Sequence, residues 1–196
     1  MKQLTLDNIS LGYNKNIVLN SINAQCTNMQ PTCIMGASGA GKTTLINILL
    51  GLVKPDSGAV LYEKEGRAAP YRVSAVFQET RLVEHLNPVI NTAMVLDGRY
   101  DKKAVRSELS ALINEAALDM PCSKLSGGMK RRVEIVRAML PASDIVIMDE
   151  PFAGLDKENK VKAIQYIIDN LRERILIIAT HDRQDAVMLN AKLLMV

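Results

Sequence analysis

Apolar residues fall in short runs along this chain, and several runs are too uniform for surface helices. Residues 145–148 and 175–179 are continuously apolar, which is typical of parallel strands buried on both faces. Near the N-terminus, residues 4–11 partly alternate between apolar and polar, and turn residues then lead to a second apolar run at 17–19. The pattern predicts an antiparallel β layer first and a buried parallel sheet after it.

Helical periodicity replaces the strand pattern between residues 81 and 121. Asp101 can cap a helix there, and the apolar positions that follow lie on one helical face: Val105, Leu109, Leu112, Ile113 and Ala116. Residues 130–140 and 157–171 predict two further helices. We therefore expect one α/β domain over residues 1–196, with a helical insertion at approximately residues 81–140.

Composition supports a folded domain and argues against several function classes. The chain has 196 residues, of which 48% are apolar, and its formal net charge is +3, too balanced to argue for nucleic acid. No apolar run approaches the roughly 18 residues that span a bilayer, so we expect a cytosolic protein. Cys26, Cys33 and Cys122 lack C-x-x-C spacing, which favours buried thiols over a disulfide or zinc site.

Residues 36–43 read Gly-Ala-Ser-Gly-Ala-Gly-Lys-Thr, between a short apolar run and a predicted helix at 44–52. This is the phosphate-loop pattern in its strand–loop–helix context. Gly39 and Gly41 can adopt backbone angles that turn successive N–H groups inward around an anion. Lys42 would reach the β- and γ-phosphates and the Thr43 hydroxyl would contact Mg²⁺. The sequence therefore predicts a nucleoside triphosphate site.

Polar side chains follow the predicted strands. Asp149 and Glu150 end the strand at 145–148, where Asp149 can hold Mg²⁺ and Glu150 can orient or deprotonate the attacking water. His181 follows the strand at 175–179, and this position favours a γ-phosphate contact over a structural role. Gln78 follows a further predicted strand at 73–77. These side chains are expected at one sheet edge.

A second glycine-rich segment, Leu-Ser-Gly-Gly-Met at residues 125–129, precedes the helix at 130–140. Ser126, Gly128 and the first helical N–H groups could hold a second anion. The basic residues at 130–132 are predicted to form a solvated helix face rather than a partner site. Tyr13, at the turn after the first strand, is by itself more typical of packing than of base stacking.

Taken in order, the segments 36–43, 125–129 and 145–150, with Gln78, Asp156 and His181, closely resemble the nucleotide-binding subunit of ATP-binding cassette transporters. The resemblance covers nearly the whole chain, and Leu-Ser-Gly-Gly is its specific element, since ordinary phosphate-loop ATPases, kinases and GTPases lack it. It implies ATP and Mg²⁺ as ligands. It also implies an α/β phosphate-loop NTPase core with a parallel sheet, an N-terminal antiparallel β layer and an inserted helical subdomain.

The resemblance assigns roles to residues. Nucleotide would be bound by Tyr13, as the adenine-stacking aromatic, and by Gly36, Ala37, Ser38, Gly39, Ala40, Gly41, Lys42, Thr43, Thr44, Ser126, Gly127, Gly128 and Asp156. Mg²⁺ would be bound by Thr43, Gln78 and Asp149. Glu150 would be the general base and His181 the γ-phosphate switch, with Lys42 and Gln78 also catalytic. Ser126 and Gly128 would act on nucleotide held by a second copy in a head-to-tail dimer.

The resemblance also implies partners. Such subunits lie on the inner face of the cell membrane and drive separate transmembrane permease subunits, with a substrate-binding protein and no nucleic acid. A groove near Gln78 and residues 81–95 would accept a permease helix through Leu82, Val83 and Leu86.

Met129 stands where Gln is common, and residues 76–82 with 126–129 look most like importers of nitrate, sulfonate and taurine. The alternative is a soluble cassette ATPase in cofactor assembly or another non-transport role. The single uninterrupted cassette argues against translation and DNA-repair members and so favours transport, which leaves cofactor assembly as the main alternative.

Overall fold

The computed structural model describes residues 1–14, 16–98 and 100–196. Element labels follow chain order. The N-terminal β layer is an antiparallel sheet with strand order β2-β1-β4-β5. Its strands are β1 (Lys2–Tyr13), β2 (Asn16–Thr27), β4 (Ser57–Lys64) and β5 (Arg67–Ala68). The strand predicted at residues 17–19 is thus only the start of a longer one.

A second sheet has the order β6-β7-β8-β3-β9. Its strands are β3 (Thr32–Met35), β6 (Val73–Val76), β7 (Ile145–Asp149), β8 (Ile175–Ala179) and β9 (Lys192–Met195). The β3/β8, β3/β9 and β7/β8 pairs are parallel, and β3, β7 and β8 are buried at every position. Burial on both faces explains their uninterrupted apolar sequences, and the predicted α/β class is confirmed.

The helices are α1 (Lys42–Leu49), α2 (Pro88–Ala93), α3 (Lys102–Ser110), α4 (Gly127–Met139), α5 (Lys157–Asn170) and α6 (Arg183–Met188), with 3₁₀ turns at Glu115–Ala117 and Cys122–Lys124. Asp101 caps α3 as predicted, because its carboxylate accepts the Lys103 N–H at 2.8 Å. The predicted apolar face is wrong at its end, since α3 stops at Ser110 and Ala116 is exposed.

The chain divides into two compact units. We call Met1–Ala75, Ser143–Glu150 and Glu173–Val196 the sheet unit, and Val76–Ala142 with Pro151–Arg172 the helical unit. The core of the sheet unit joins alternate side chains of β1 to α1 and to β7 and β8: Leu4, Leu6, Ile9, Leu45, Leu49, Ile145, Ile147, Ile175 and Ile177. Within the described residues, every helix is too short or too polar to span a bilayer.

The three cysteines are buried thiols, as predicted. Cys26, Cys33 and Cys122 are each 1% exposed or less and are not disulfide-bonded. Burial raises the pKa of the Cys33 thiol to about 12, which keeps it protonated near neutrality.

Candidate functional site

Three parallel strands of the sheet unit end at the same level. Ile34 of β3 is paired with Ala179 of β8, and Ala179 is paired with Asp149 of β7. The register continues one residue further, because the Glu150 N–H donates to the Ala179 carbonyl and the Thr180 N–H to the Ile34 carbonyl. The phosphate-loop pattern, the paired carboxylates and His181 therefore leave the sheet along one edge, where ligand sites collect in α/β folds.

Residues 36–43 form a tight loop between β3 and α1. Gly39 and Gly41 have φ of 80° and 102°, the left-handed region that glycine tolerates best. A Cβ at Gly41 would also lie 2.9 Å from Leu19 Cδ2 and 3.1 Å from the Val18 carbonyl oxygen, so the backbone angle favours glycine and the space beside it is tight. Because glycine caps α1, no side chain competes for its first N–H groups, and an anion can take them.

Lys42 lies over this loop. Its Nζ donates to the carbonyls of Gly36 at 2.9 Å and Ala37 at 3.0 Å, so the ammonium is held at the loop. A cation on a backbone nest is the arrangement that binds a polyphosphate.

Thr43 and Asp149 meet across the start of α1 and the end of β7. The Thr43 hydroxyl donates to Asp149 Oδ2 at 2.9 Å, and Asp149 is only 3% exposed. A hydroxyl and a carboxylate are the hard oxygen ligands that Mg²⁺ prefers. The donor set therefore fits a nucleotide-bound magnesium ion.

Glu150 and His181 also lie together. His181 Nδ1 is 2.9 Å from both carboxylate oxygens of Glu150, which adopts φ 47°, a backbone conformation costly for a non-glycine residue. The hydrogen bond with Glu150 and its charge raise the pKa of His181. The two side chains predicted to act on water and the γ-phosphate thus contact each other directly.

Buried polar groups support the His181 loop. The Thr180 hydroxyl donates to Asp185 Oδ2 at 2.7 Å and accepts the Asp182 N–H at 3.1 Å. Thr180 and Asp185 are 1% and 2% exposed, and Asp185 was not predicted. In the sequence, Asp185 is a carboxylate on a short amphipathic segment. That pattern by itself is typical of a solvated residue.

The glycine-rich segment at 125–129 lies in the helical unit and begins α4. Ser126 caps this helix by accepting the Met129 N–H at 3.3 Å. With residues 153–156 and several polar side chains, it lines a pocket of about 500 Å³ whose walls include Thr80, Gly127, Gly128, Arg131, Arg132 and Asn159. A polar pocket at a helix N-terminus suits an anion, and the anion-binding role of Ser126 and Gly128 stays a prediction.

Asp156 lies on the same pocket and caps α5. Its carboxylate accepts the backbone N–H of Asn159 at 2.9 Å and the Asn159 side chain at 2.6 Å, and these bonds lower the pKa of Asp156. Arg132 donates to Asn159 Oδ1 at 2.6 Å, which links α4 to the start of α5. Asn159 was not predicted as part of this region.

The remaining predicted residues divide between the units. Tyr13 ends β1 in the sheet unit with 51% of its surface exposed, and Thr44 follows Thr43 in α1. Gln78 belongs to the helical unit and is exposed. The predicted solvated face at 130–132 is wrong for Arg131, which is 7% exposed because it bonds to backbone carbonyls inside the helical unit.

The fold and these loops define a phosphate-loop NTPase, and the second glycine-rich helix start at Ser126 is typical of the cassette subclass. A family model described as ABC transporter matches residues 19–153, more than half of the chain. The chain belongs to the ABC transporter family, and it is an ATP-binding and ATP-hydrolysing cassette homologous to transporter ATP-binding subunits.

A relative in Helicobacter pylori (strain G27), the ergothioneine transport ATP-binding protein EgtV, is 31% identical over 99% of this chain and 97% of its own length. Two solved structures share the fold. The ATP-binding cassette MJ0796, in a dimeric post-hydrolysis state with ADP and Pi, aligns with a TM-score of 0.81 at 24% identity over 94% of this chain and 90% of its own. A bacterial Atm1-family ABC exporter with ATP bound aligns with 0.80 at 23% identity over 94% of this chain and 35% of its own.

Proposed function

We propose that this chain is the subunit that powers a transporter by hydrolysing ATP at the edge of its parallel sheet and driving separate permease subunits in the membrane. The observation that supports the proposal most is the shared register of β3, β7 and β8, which gathers Lys42, Asp149, Glu150 and His181 at one edge.

The proposal gives a task to each side chain of the site. The loop amides of residues 36–43 and Lys42 bind the phosphates, with Tyr13 stacking on the adenine. Glu150 accepts the proton of the attacking water, and His181, hydrogen-bonded to Glu150, holds the carboxylate in place and contacts the γ-phosphate. Thr43, Asp149 and Gln78 would hold Mg²⁺, which supplies positive charge to the phosphate oxygens as the bond breaks.

We infer that two copies share each nucleotide. The residues Ser126, Gly127 and Gly128 present a capped helix start at an open pocket, and Asp156 lies on the same pocket. The N–H groups at a helix N-terminus can bind the terminal phosphate of a nucleotide that another copy holds. The dimeric MJ0796 structure supports this arrangement.

Substitution of Lys42 tests the nucleotide site. In Lys42→Ala we expect ATP to bind about 10- to 100-fold more weakly, since hydrogen bonds from a charged group are worth about 1.5–3 kcal/mol. We expect the rate of ATP hydrolysis in this variant to fall as well. The matched control is Lys54→Ala, an exposed lysine beyond the end of α1. ATP affinity and turnover in Lys42→Ala equal to those of the control would rule out this site.

A permease needs an exposed apolar surface on this chain. The contacts predicted from sequence are wrong in one respect, because Leu82 is buried, with only 8% of its surface exposed. The exposed apolar side chains of the same stretch are Ile90 at 40%, Met94 at 60% and Val95 at 42%. We propose that these three receive a short helix of a permease subunit, as in helix-in-groove recognition.

The test is co-purification with permease subunits co-expressed with this chain. Ile90→Asp with Met94→Asp should abolish co-purification and leave basal ATP hydrolysis within about twofold, because charges at exposed sites rarely unfold a protein. Met29→Asp is the control, since Met29 is 76% exposed in the sheet unit. Retained binding by the double variant would place the docking surface elsewhere.

The transported substrate is selected by the membrane subunits and by a substrate-binding protein, which we also propose as a partner. The importer type for nitrate, sulfonate and taurine stays a prediction; the ergothioneine transport relative adds ergothioneine to the candidates. ATP-driven uptake of each compound into vesicles carrying the full complex distinguishes them. Uptake of none of these compounds would contradict both assignments.

A further inference from the structure

Three charged residues lie on one face of α4, at positions 131, 134 and 137. Spacings of three residues bring side chains together along a helix. All three bond to the backbone of residues 77–81, a segment of irregular structure that contains Gln78. We call Arg131, Glu134 and Arg137 the α4 clamp.

The bonds of the clamp account for four backbone groups of this short segment. Arg131 Nη1 donates to the Phe77 carbonyl at 2.6 Å and its Nη2 donates to the Gln78 carbonyl. Glu134 Oε1 accepts the Arg81 N–H at 2.7 Å, and Arg137 Nη1 donates to the Arg81 carbonyl at 2.7 Å. The guanidinium of Arg81 also lies over the Phe77 ring, 4.2 Å from its centre.

The clamp is buried and internally paired. Arg131 is 7% exposed and Glu134 2%, and their side chains lie 3.2 Å apart. Burial raises the pKa of Glu134, since a carboxylate in an apolar interior loses its hydration. Removing either residue would leave the other charge buried without its partner. The backbone groups that the removed residue bonds would also lose those hydrogen bonds. A buried ion pair by itself adds little net stability, because the cost of desolvating both charges offsets their attraction.

We propose that Arg131 and Glu134 are positioning residues for Gln78, fixing its backbone to the helix that begins at Ser126. Gln78 and the Ser126 helix start then move as one rigid piece during the ATPase cycle. The proposal rests on the proposed role of Gln78 in holding Mg²⁺. The clamp leaves the Gln78 side chain exposed for that role, because it uses only backbone atoms.

Hydrogen exchange tests the clamp without reference to Gln78 chemistry. In Glu134→Ala the peptide covering residues 77–83 should exchange at least about tenfold faster, because the Arg81 N–H loses its acceptor. Glu134→Gln keeps an acceptor and should restore slow exchange. The peptide covering the phosphate loop should exchange as in wild type in both variants. Unchanged exchange of residues 77–83 in Glu134→Ala would overturn the proposal.

A double-mutant cycle then tests whether the clamp affects the Mg²⁺ requirement through Gln78. Arg131→Gln should raise the Mg²⁺ concentration needed for half-maximal turnover about fivefold, with ATP affinity in the absence of Mg²⁺ within about twofold. Arg131→Lys, which keeps the charge but donates from a single point, provides an intermediate case if Arg131→Gln folds poorly. Lys130→Gln is the matched control, because the neighbouring Lys130 pairs with the Glu84 side chain instead.

If Arg131 acts through Gln78, Arg131→Gln combined with Gln78→Ala should need no more Mg²⁺ than Gln78→Ala alone. Additive effects, or a fall in turnover with an unchanged Mg²⁺ requirement, would overturn the positioning role. If Gln78→Ala itself leaves the Mg²⁺ requirement unchanged, the proposed role of Gln78 as a Mg²⁺ ligand is wrong. The proposal that the clamp positions Gln78 for that role is then wrong as well.

Discussion

Asp149 and Glu150 are adjacent in sequence but occupy different environments. Asp149 completes β7, is buried and accepts the Thr43 hydroxyl, whereas Glu150 has left the strand with φ 47° and faces His181. The change of backbone direction separates the carboxylates. Asp149 lies beside Thr43 of the phosphate loop, and Glu150 lies beside the exposed imidazole of His181. These different neighbours suit the two carboxylates to different tasks.

This separation predicts different effects of neutralising each carboxylate. Asp149→Asn should weaken Mg²⁺-dependent ATP binding as well as turnover. Glu150→Gln should keep ATP affinity and lose about 10²- to 10⁴-fold in hydrolysis, equivalent to roughly 3–5 kcal/mol of barrier, because only general-base help is removed. ATP affinity and single-turnover hydrolysis with Mg²⁺ measure both effects. Equal loss of affinity in the two variants would contradict the division of tasks.

The contact between His181 and Glu150 predicts a pH dependence. Because Glu150 raises the pKa of His181, the ion pair contributes fully below the ordinary histidine pKa of about 6.5 and is lost as pH rises through the raised value. Titration of the imidazole by NMR should show a lower pKa for His181 in Glu150→Gln than in wild type. The chain has two histidines, so His181→Gln assigns the resonance. An unchanged pKa would mean that the contact is absent in solution.

Among the helices, α2 depends on a buried side chain to hold the loop before it. Asn91 is 1% exposed; its Oδ1 accepts the Val83 N–H at 2.7 Å, and its Nδ2 donates to the carbonyls of Val83 and Leu86. The same Nδ2 lies 3.3 Å from Cys122 Sγ. One amide therefore bonds three backbone groups of residues 83–86, which form neither helix nor strand.

We expect Asn91→Ala to lower the free energy of unfolding by about 2 kcal/mol, since the Val83 N–H loses its acceptor and the carbonyls of Val83 and Leu86 each lose one of their donors. Urea denaturation measures the change. The control is Asn20→Ala on an exposed position of β2, which should alter stability by less than about 0.5 kcal/mol. A loss of similar size in both variants would show that the Asn91 bonds do not carry the stability of this loop.

For the chain as an assembling unit, the proposed sharing of nucleotide predicts ATP-dependent association. ATP that contacts Ser126 only in the dimer stabilises the dimer by mass action. Light scattering of Glu150→Gln should give a monomer mass near 21.6 kDa without nucleotide and about twice that mass with ATP. Adding Lys42→Ala should prevent the rise. A mass independent of ATP would argue against a nucleotide-bridged dimer.

Much of this protein was predictable from local sequence. The phosphate loop follows from glycines at backbone angles that glycine tolerates best, and the buried strands follow from continuous apolar runs typical of burial on two faces. Asp149 and Glu150 lie where such a run ends. Asp101 as a cap follows from its carboxylate preceding an amphipathic segment. Short elements were missed, including β9 and α6, because a few residues carry too little periodicity.

The tertiary structure decided which polar residues are buried. Residues 130–132 are basic and adjacent on a helix, which by itself indicates solvent, yet Arg131 is buried against backbone carbonyls more than 50 residues earlier in the chain. Leu82 and Asp185 are further cases, one an apolar residue removed from its expected surface and the other a carboxylate buried under Thr180. Sequence pattern reports the periodicity of an element, but burial of a charge depends on hydrogen-bond partners that distant segments supply, and only the folded chain brings those together.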